Sequence, residues 1–138
     1  MPFAVVGLNH RTAPIEIRER FAFAVTEMPD ALAHVLESEA ISEAALISTC
    51  NRTEFYLHLI DYERAIPFVT ATLAAQASGL PKPTERYLYV KRGREAVEHL
   101  YRVVSGLDSM VLGEVQVQGQ VRDAYELARS LTGTRQAV

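Results

Sequence analysis

The chain opens on an unbroken apolar run over residues 3–8, followed at once by polar Asn9-His10-Arg11. A short apolar run bounded by turn residues predicts a strand buried on both faces. Thr12 and Pro14 then offer a cap and a first-turn proline for a helix whose apolar contacts are Ile15, Ile17 and Phe21. A longer helix is predicted over 26–40, where Thr26 precedes Pro29 and Leu32, Val35 and Leu36 share one face. Strand patterns follow over 44–49 and 53–60. The second alternates, with Phe55, Leu57 and Leu59 on one side and Glu54, Tyr56 and His58 on the other. Between them lies Cys50-Asn51-Arg52, a polar connection in which Asn51 is expected to take a left-handed conformation. A helix near 64–78 is stopped by Gly79, and a loop with Pro81 and Pro83 precedes a strand over 87–90. The helix predicted over 95–104 sets Val97, Leu100, Tyr101 and Val104 toward a core, and Gly106 breaks it. Residues 116–131 carry the pattern of a final long helix. The order is β-α-β-β-α-β followed by helices. It predicts an α+β fold, a ferredoxin-like antiparallel sheet backed by helices, with further helices at the C-terminal end.

Composition narrows the setting. At 138 residues, 49% hydrophobic and 22% charged, the chain has the size and make-up of one globular domain spanning 1–138. A single cysteine rules out a disulfide framework or a cysteine-rich metal site, and a reducing cytoplasm is the expected compartment. No apolar run approaches a membrane span, and the N-terminus lacks the basic region of a signal peptide. The last residues, 131–138, show no natural stop and read as a break within or after a helix. A net charge of −3 argues against nonspecific coating of nucleic acid. Charge is uneven: residues 27–63 hold eight acids against Arg52 alone, while 82–102 hold six bases against three acids. The second stretch is either a solvated face or a modest phosphate-contacting edge.

Candidate chemistry centres on Cys50. A lone cysteine is most often a small buried hydrophobe. This one stands at a strand end among polar neighbours, where Arg52 could favour the thiolate. His99, on the helix after the last strand, is the leading partner, since a cysteine and a distant histidine are a common nucleophile arrangement. A packed histidine is the plainer alternative. His10, His34 and His58 lack metal-ligand spacing, and no metal site is expected. In the stretch 105–122, Gln116 and Gln120 share a helix face, and their amides could hold an amino-acid substrate or simply face solvent. Gly106 and Gly113 form no GxGxxG loop after a strand, so no dinucleotide site is expected.

Three separated motifs then carry a resemblance. Gly7-Leu-Asn-His-Arg-Thr-Ala-Pro14 with Ile17-Arg-Glu-Arg20, Ser48-Thr-Cys-Asn-Arg-Thr-Glu54, and His99-Leu-Tyr-Arg-Val103 with Ser105-Gly-Leu-Asp-Ser-Met-Val-Leu-Gly-Glu-Val-Gln116 resemble glutamyl-tRNA reductases in order and spacing, across essentially the whole chain. Val104 and Gln118 depart from the family pattern, which touches local packing. The resemblance implies the N-terminal catalytic domain of an NADPH-dependent oxidoreductase. Such enzymes make glutamate-1-semialdehyde from glutamyl-tRNA through a cysteine thioester, on the 5-aminolevulinate route to tetrapyrroles (porphyrins, heme). It implies Cys50 as nucleophile and His99 as a residue important for activity. Thr49, Asn51, Arg52, Ser109, Glu114, Val115, Gln116 and Gln120 become substrate-pocket positions, with Arg52 holding the glutamate carboxylate and Glu114 its α-ammonium group. It further implies no metal, NADPH-binding and dimerisation domains outside this chain, a homodimer, and glutamate-1-semialdehyde aminomutase as a downstream partner. A noncatalytic ferredoxin-like binding or regulatory module, with Cys50 merely packed, is the rival reading. A thiol redox sensor is weaker, because no resolving cysteine exists.

Overall fold

The structure is a computed structural model that describes residues 2–81 and 83–105. Strands β1 (Phe3–Asn9), β2 (Ile41–Ser48), β3 (Arg52–Leu59) and β4 (Tyr89–Arg92) form one sheet in the order β2-β3-β1-β4. Every neighbouring pair is antiparallel. Helices α1 (Ile15–Phe21) and α2 (Met28–Val35) join β1 to β2, α3 (Tyr62–Gln76) joins β3 to β4, and α4 (Arg94–Val104) follows β4. The strand order and connections are those of the ferredoxin-like arrangement expected from the pattern.

Alternation along the strands sorts residues onto two faces. Ala4, Val6, Leu8, Leu46, Phe55, Leu57 and Leu59 join Phe21, Leu32, Val35, Val69 and Leu73 in one large core, so α1, α2 and α3 cover one face. Val5, Ile47 and Tyr56 pack instead with Ala96 of α4, with Phe3, Tyr89 and Leu100 at the margin. Helix α4 therefore covers the opposite face. With both faces covered, β1 is buried from Ala4 to Asn9, as its unbroken apolar run predicts.

Several local expectations are corrected. Thr12 does not cap α1; its hydroxyl accepts from the Asn9 amide at 3.1 Å and closes an Asn9–Thr12 turn, leaving Pro14 as the uncapped entry. The second helix begins at Met28 rather than residue 26. A 3-10 turn at Val25–Glu27 precedes α2, and the Glu27 carboxylate reaches back to the Ala24 amide at 2.8 Å. Helix α2 then stops at Val35 rather than residue 40, where Ser38 takes over the backbone, its hydroxyl accepting from the Ala40 amide at 3.2 Å. That early stop lets β2 begin at Ile41. Tyr87 and Leu88 pack on the helical core from a 3-10 turn at Thr84–Tyr87, which shifts the last strand two residues on. Gly79 does end α3's exit turn, with φ +106°. The helix predicted over 116–131 lies outside the described residues.

Candidate active site

Cys50 sits at the tip of the β2–β3 hairpin, exposed, on a turn locked from both sides. The Thr49 amide donates to the Arg52 carbonyl at 2.7 Å. The Thr49 hydroxyl accepts from the Asn51 amide at 3.0 Å and the Arg52 amide at 3.2 Å. These bonds shape the turn without any left-handed residue: among the described residues no non-glycine has positive φ, so the expected conformation of Asn51 is not adopted. From α1, Arg18 donates Nε–H to the Cys50 carbonyl at 3.0 Å and Nη1–H to the Ala13 carbonyl at 2.8 Å. A buried arginine so anchored holds the cysteine backbone to the helix core. The thiol borders a cavity of about 280 Å³ lined by Ile15, Arg18, Glu19, Phe23 and Thr49.

Two residues on, β3 turns a charged row toward α4. Arg52 is 2% exposed and Glu54 is fully buried. Their side chains meet at 3.4 Å, Arg52 Nη1 donating to Glu54 Oε1. The Tyr56 hydroxyl donates to the same oxygen at 2.7 Å. The other oxygen, Oε2, is met by the Tyr89 hydroxyl and by His99 Nε2. The row exists because Gly7 lies opposite both Glu54 on β3 and Tyr89 on β4. A Cβ at Gly7 would stand 2.2 Å from the Thr53 carbonyl oxygen and 2.9 Å from Glu54 Cγ. Only glycine lets β1 approach the Thr53–Glu54 backbone of β3 this closely.

Burial alone would push the Glu54 carboxyl up. The hydrogen bond from His99, the Arg52 guanidinium and the Tyr89 hydroxyl outweigh it and hold the carboxyl below its ordinary value. Burial, together with the Glu54 carboxylate, raises the Tyr56 hydroxyl well above the usual tyrosine range, so it stays protonated and donating.

His99 faces the sheet with Ala96 and Val103, a stripe one step round the helix from the expected one. Tyr101, expected in the core, is 71% exposed, because the buried side of α4 is the one that meets the Glu54 row. His99 borders a second cavity of about 330 Å³, shared with Asn9, Arg11, Tyr89, Lys91 and Arg102. Among the described residues no hydrogen bond joins Cys50 to His99, and the two line different cavities. What the fold brings together is Arg52 with His99, through Glu54. Asn51 is buried beside them in sequence. Ser109, Glu114, Val115, Gln116 and Gln120 lie outside the described residues. In the basic segment, Lys91 pairs with Glu95 at 3.8 Å, Arg94 with Glu98 at 3.3 Å, and Arg92 stacks 3.7 Å over the Tyr62 ring. Much of that charge is thus engaged locally. No group of metal-ligating side chains forms among the described residues, and no helix there is long and apolar enough to cross a membrane.

Pattern reading singled out Cys50, Arg52 and His99 but missed Glu54, Tyr56, Tyr89 and Arg18. The available signal was Arg52 and Glu54 at i and i+2, opposite charges on one strand face beside an aromatic at i+4.

The comparisons with known proteins agree in one direction. The family profile described as glutamyl-tRNAGlu reductase, N-terminal domain, matches residues 6–138. A glutamyl-tRNA reductase of Paenibacillus macerans is 44% identical over 97% of this chain, and one of Marinobacter nauticus is 48% identical over 97%. The chain spans 31% of the length of each. The solved glutamyl-tRNA reductase of Methanopyrus kandleri superposes with a TM-score of 0.74 at 34% identity, covering 96% of this chain and 29% of that one. With its sheet order, its Cys50 turn and a profile match over nearly its whole length, the chain belongs to the glutamyl-tRNA reductase family, in the region of the family's N-terminal domain.

Proposed function

We propose that this chain is the acyl-accepting catalytic domain of an enzyme that reduces glutamyl-tRNA to glutamate-1-semialdehyde. The observation that carries the reading is an exposed thiol on a turn fixed by Thr49 and Arg18, two residues from the buried Arg52–Glu54–His99 row. The Cys50 thiolate attacks the ester carbonyl joining glutamate to the tRNA 3′ end. A C–S bond forms, the C–O bond to ribose breaks, and the ribose oxygen takes a proton as free tRNA leaves. Splitting the reaction through a sulfur nucleophile replaces one difficult step by two easier ones. The thioester carbonyl, less resonance-stabilised than the oxygen ester, is then a better hydride acceptor. Two electrons arriving as hydride expel the Cys50 thiolate and leave the aldehyde.

Arg52 is suited to orient the glutamate side-chain carboxylate by charge-assisted hydrogen bonds. In this reading His99 exchanges a proton with the reacting carbonyl or leaving oxygen. Thr49 lines the cavity beside Cys50, and Asn51, Ser109, Glu114, Val115, Gln116 and Gln120 would complete the pocket. NADPH supplies the hydride when bound. The chain spans 31% of the length of its relatives, and the NADPH site is assigned in this reading to another part of the longer protein. Family membership also supports a cytoplasmic homodimer in tetrapyrrole synthesis whose aldehyde passes to an aminomutase.

The test is aldehyde release. Full-length protein given glutamyl-tRNA and NADPH should form trappable aldehyde, while its Cys50→Ser variant and the 138-residue chain alone should form none. Aldehyde at the native rate from Cys50→Ser would overturn the reading.

A further inference from the structure

We propose that Glu54 is a positioning residue for His99, fixing the ring so that Nε2 carries the hydrogen and Nδ1 is the nitrogen presented to the reactants. The proposal rests on the acyl-transfer reading above and names the atom through which His99 serves it.

An ionised carboxylate only accepts, and its two oxygens offer about four acceptor sites. Glu54 uses all four: Arg52 Nη1–H and the Tyr56 hydroxyl on Oε1, the Tyr89 hydroxyl and His99 Nε2 on Oε2. Facing an acceptor, Nε2 must bear the hydrogen. The neutral ring then has its lone pair on Nδ1, and the protonated ring has a second N–H there. Nδ1 has no hydrogen-bond partner among the described residues, while the ring borders the 330 Å³ cavity. The remaining contact, a tilted stacking of His99 on Tyr89 at 5.5 Å between centroids, fixes the ring plane without engaging either nitrogen.

The arrangement is costly for a purely structural device. Taking a carboxylate fully out of water carries a large desolvation penalty, and apolar residues of similar volume often serve stability as well or better. A buried acid that orients an imidazole through one nitrogen, leaving the other toward a cleft, is the division of labour that general acid–base sites require. Charged and titratable groups facing the ring are Glu54 and Arg52 from β3, Tyr89 and Lys91 from β4, Arg11 from the turn after β1, and Glu95, Glu98 and Arg102 from α4 itself. Of these, only Glu54 makes a hydrogen bond to the ring.

The direct test is the tautomer of His99, read from two-bond ¹H–¹⁵N correlations of the histidine side chains. The native protein should show His99 as the Nε2–H form, and E54Q should show a mixture of both forms. An Nδ1–H form in the native protein, or an unchanged tautomer in an E54Q variant with a native backbone spectrum, would overturn the proposal. The native measurement decides by itself if E54Q fails to fold. In the full-length enzyme, the single-turnover rate of acyl transfer at saturating glutamyl-tRNA supplies the second readout. E54Q and H99N should each slow it, and the double variant should be within about twofold of H99N alone, because residues acting as a unit are non-additive. Multiplying losses would place Glu54's effect elsewhere and sink the assignment. Should the native enzyme form no acyl-enzyme at all, the functional reading fails while the tautomer result still stands or falls separately.

Discussion

The two faces of β3 are built from the same eight residues and solve opposite problems. On one side Phe55, Leu57 and Leu59 interlock with α1, α2 and α3 in a core free of charge. On the other, Arg52, Glu54 and Tyr56 are just as buried, yet they carry an ion pair and hydroxyls beneath α4. The apolar face stabilises by removing surface from water, a term that tolerates imperfect geometry. The polar face gains little net stability, because what each charge recovers from its partners it first loses in desolvation. What it gains is orientation. A saturated carboxylate holds Arg52, Tyr56, Tyr89 and His99 in one arrangement, so the sheet can be read as a structural side and a chemical side.

Breaking the chemical side should show the asymmetry most sharply. Glu54→Leu removes the common acceptor and takes from the buried Arg52 guanidinium its ion-pair partner on β3. The loss should be about 3–5 kcal/mol, measured by denaturant unfolding. On the structural side, Leu57→Ala leaves a cavity and should cost about 2–5 kcal/mol while leaving the His99 tautomer untouched. A change in that tautomer would show that the faces are coupled.

A gentler contrast comes from pH. The Glu54 carboxyl is held below its ordinary value of 4.5, so its contribution is fully present above that value and lost as pH falls through the lower folded value. The native protein should lose more thermal stability than E54Q between pH 5 and pH 3. Equal acid sensitivity of the two would contradict an ionised, network-bound Glu54.

How far the pattern alone reaches follows the same division. Alternation over β3 placed Phe55, Leu57 and Leu59 together correctly, because period-two sorting depends only on local backbone geometry. It could not say what covers the other side, which depends on where α4 docks 45 residues after Glu54. Helical spacing found an amphipathic α4 but chose Tyr101 over His99 for its buried side, since hydrophobicity cannot foresee a histidine paired to a buried acid. The Cys50 turn was placed correctly between two strands, and its shape was not, because the Thr49 hydroxyl supplies the hydrogen bonds that an Asn51 left-handed residue was expected to replace. Arg18 was invisible as a contributor: its contact with the Cys50 carbonyl spans 32 residues.

Cys50 belongs to neither packed face. Being exposed, it should be replaceable by serine with a stability change within about 0.5 kcal/mol. The decisive measurement is therefore acyl transfer to a folded protein. Incubation with glutamyl-tRNA bearing labelled glutamate, followed by peptide mapping, should place a hydroxylamine-labile glutamyl group on Cys50 of the native protein and nowhere on Cys50→Ser. Absence of label from the native protein, or equal label on the serine variant, would contradict the account.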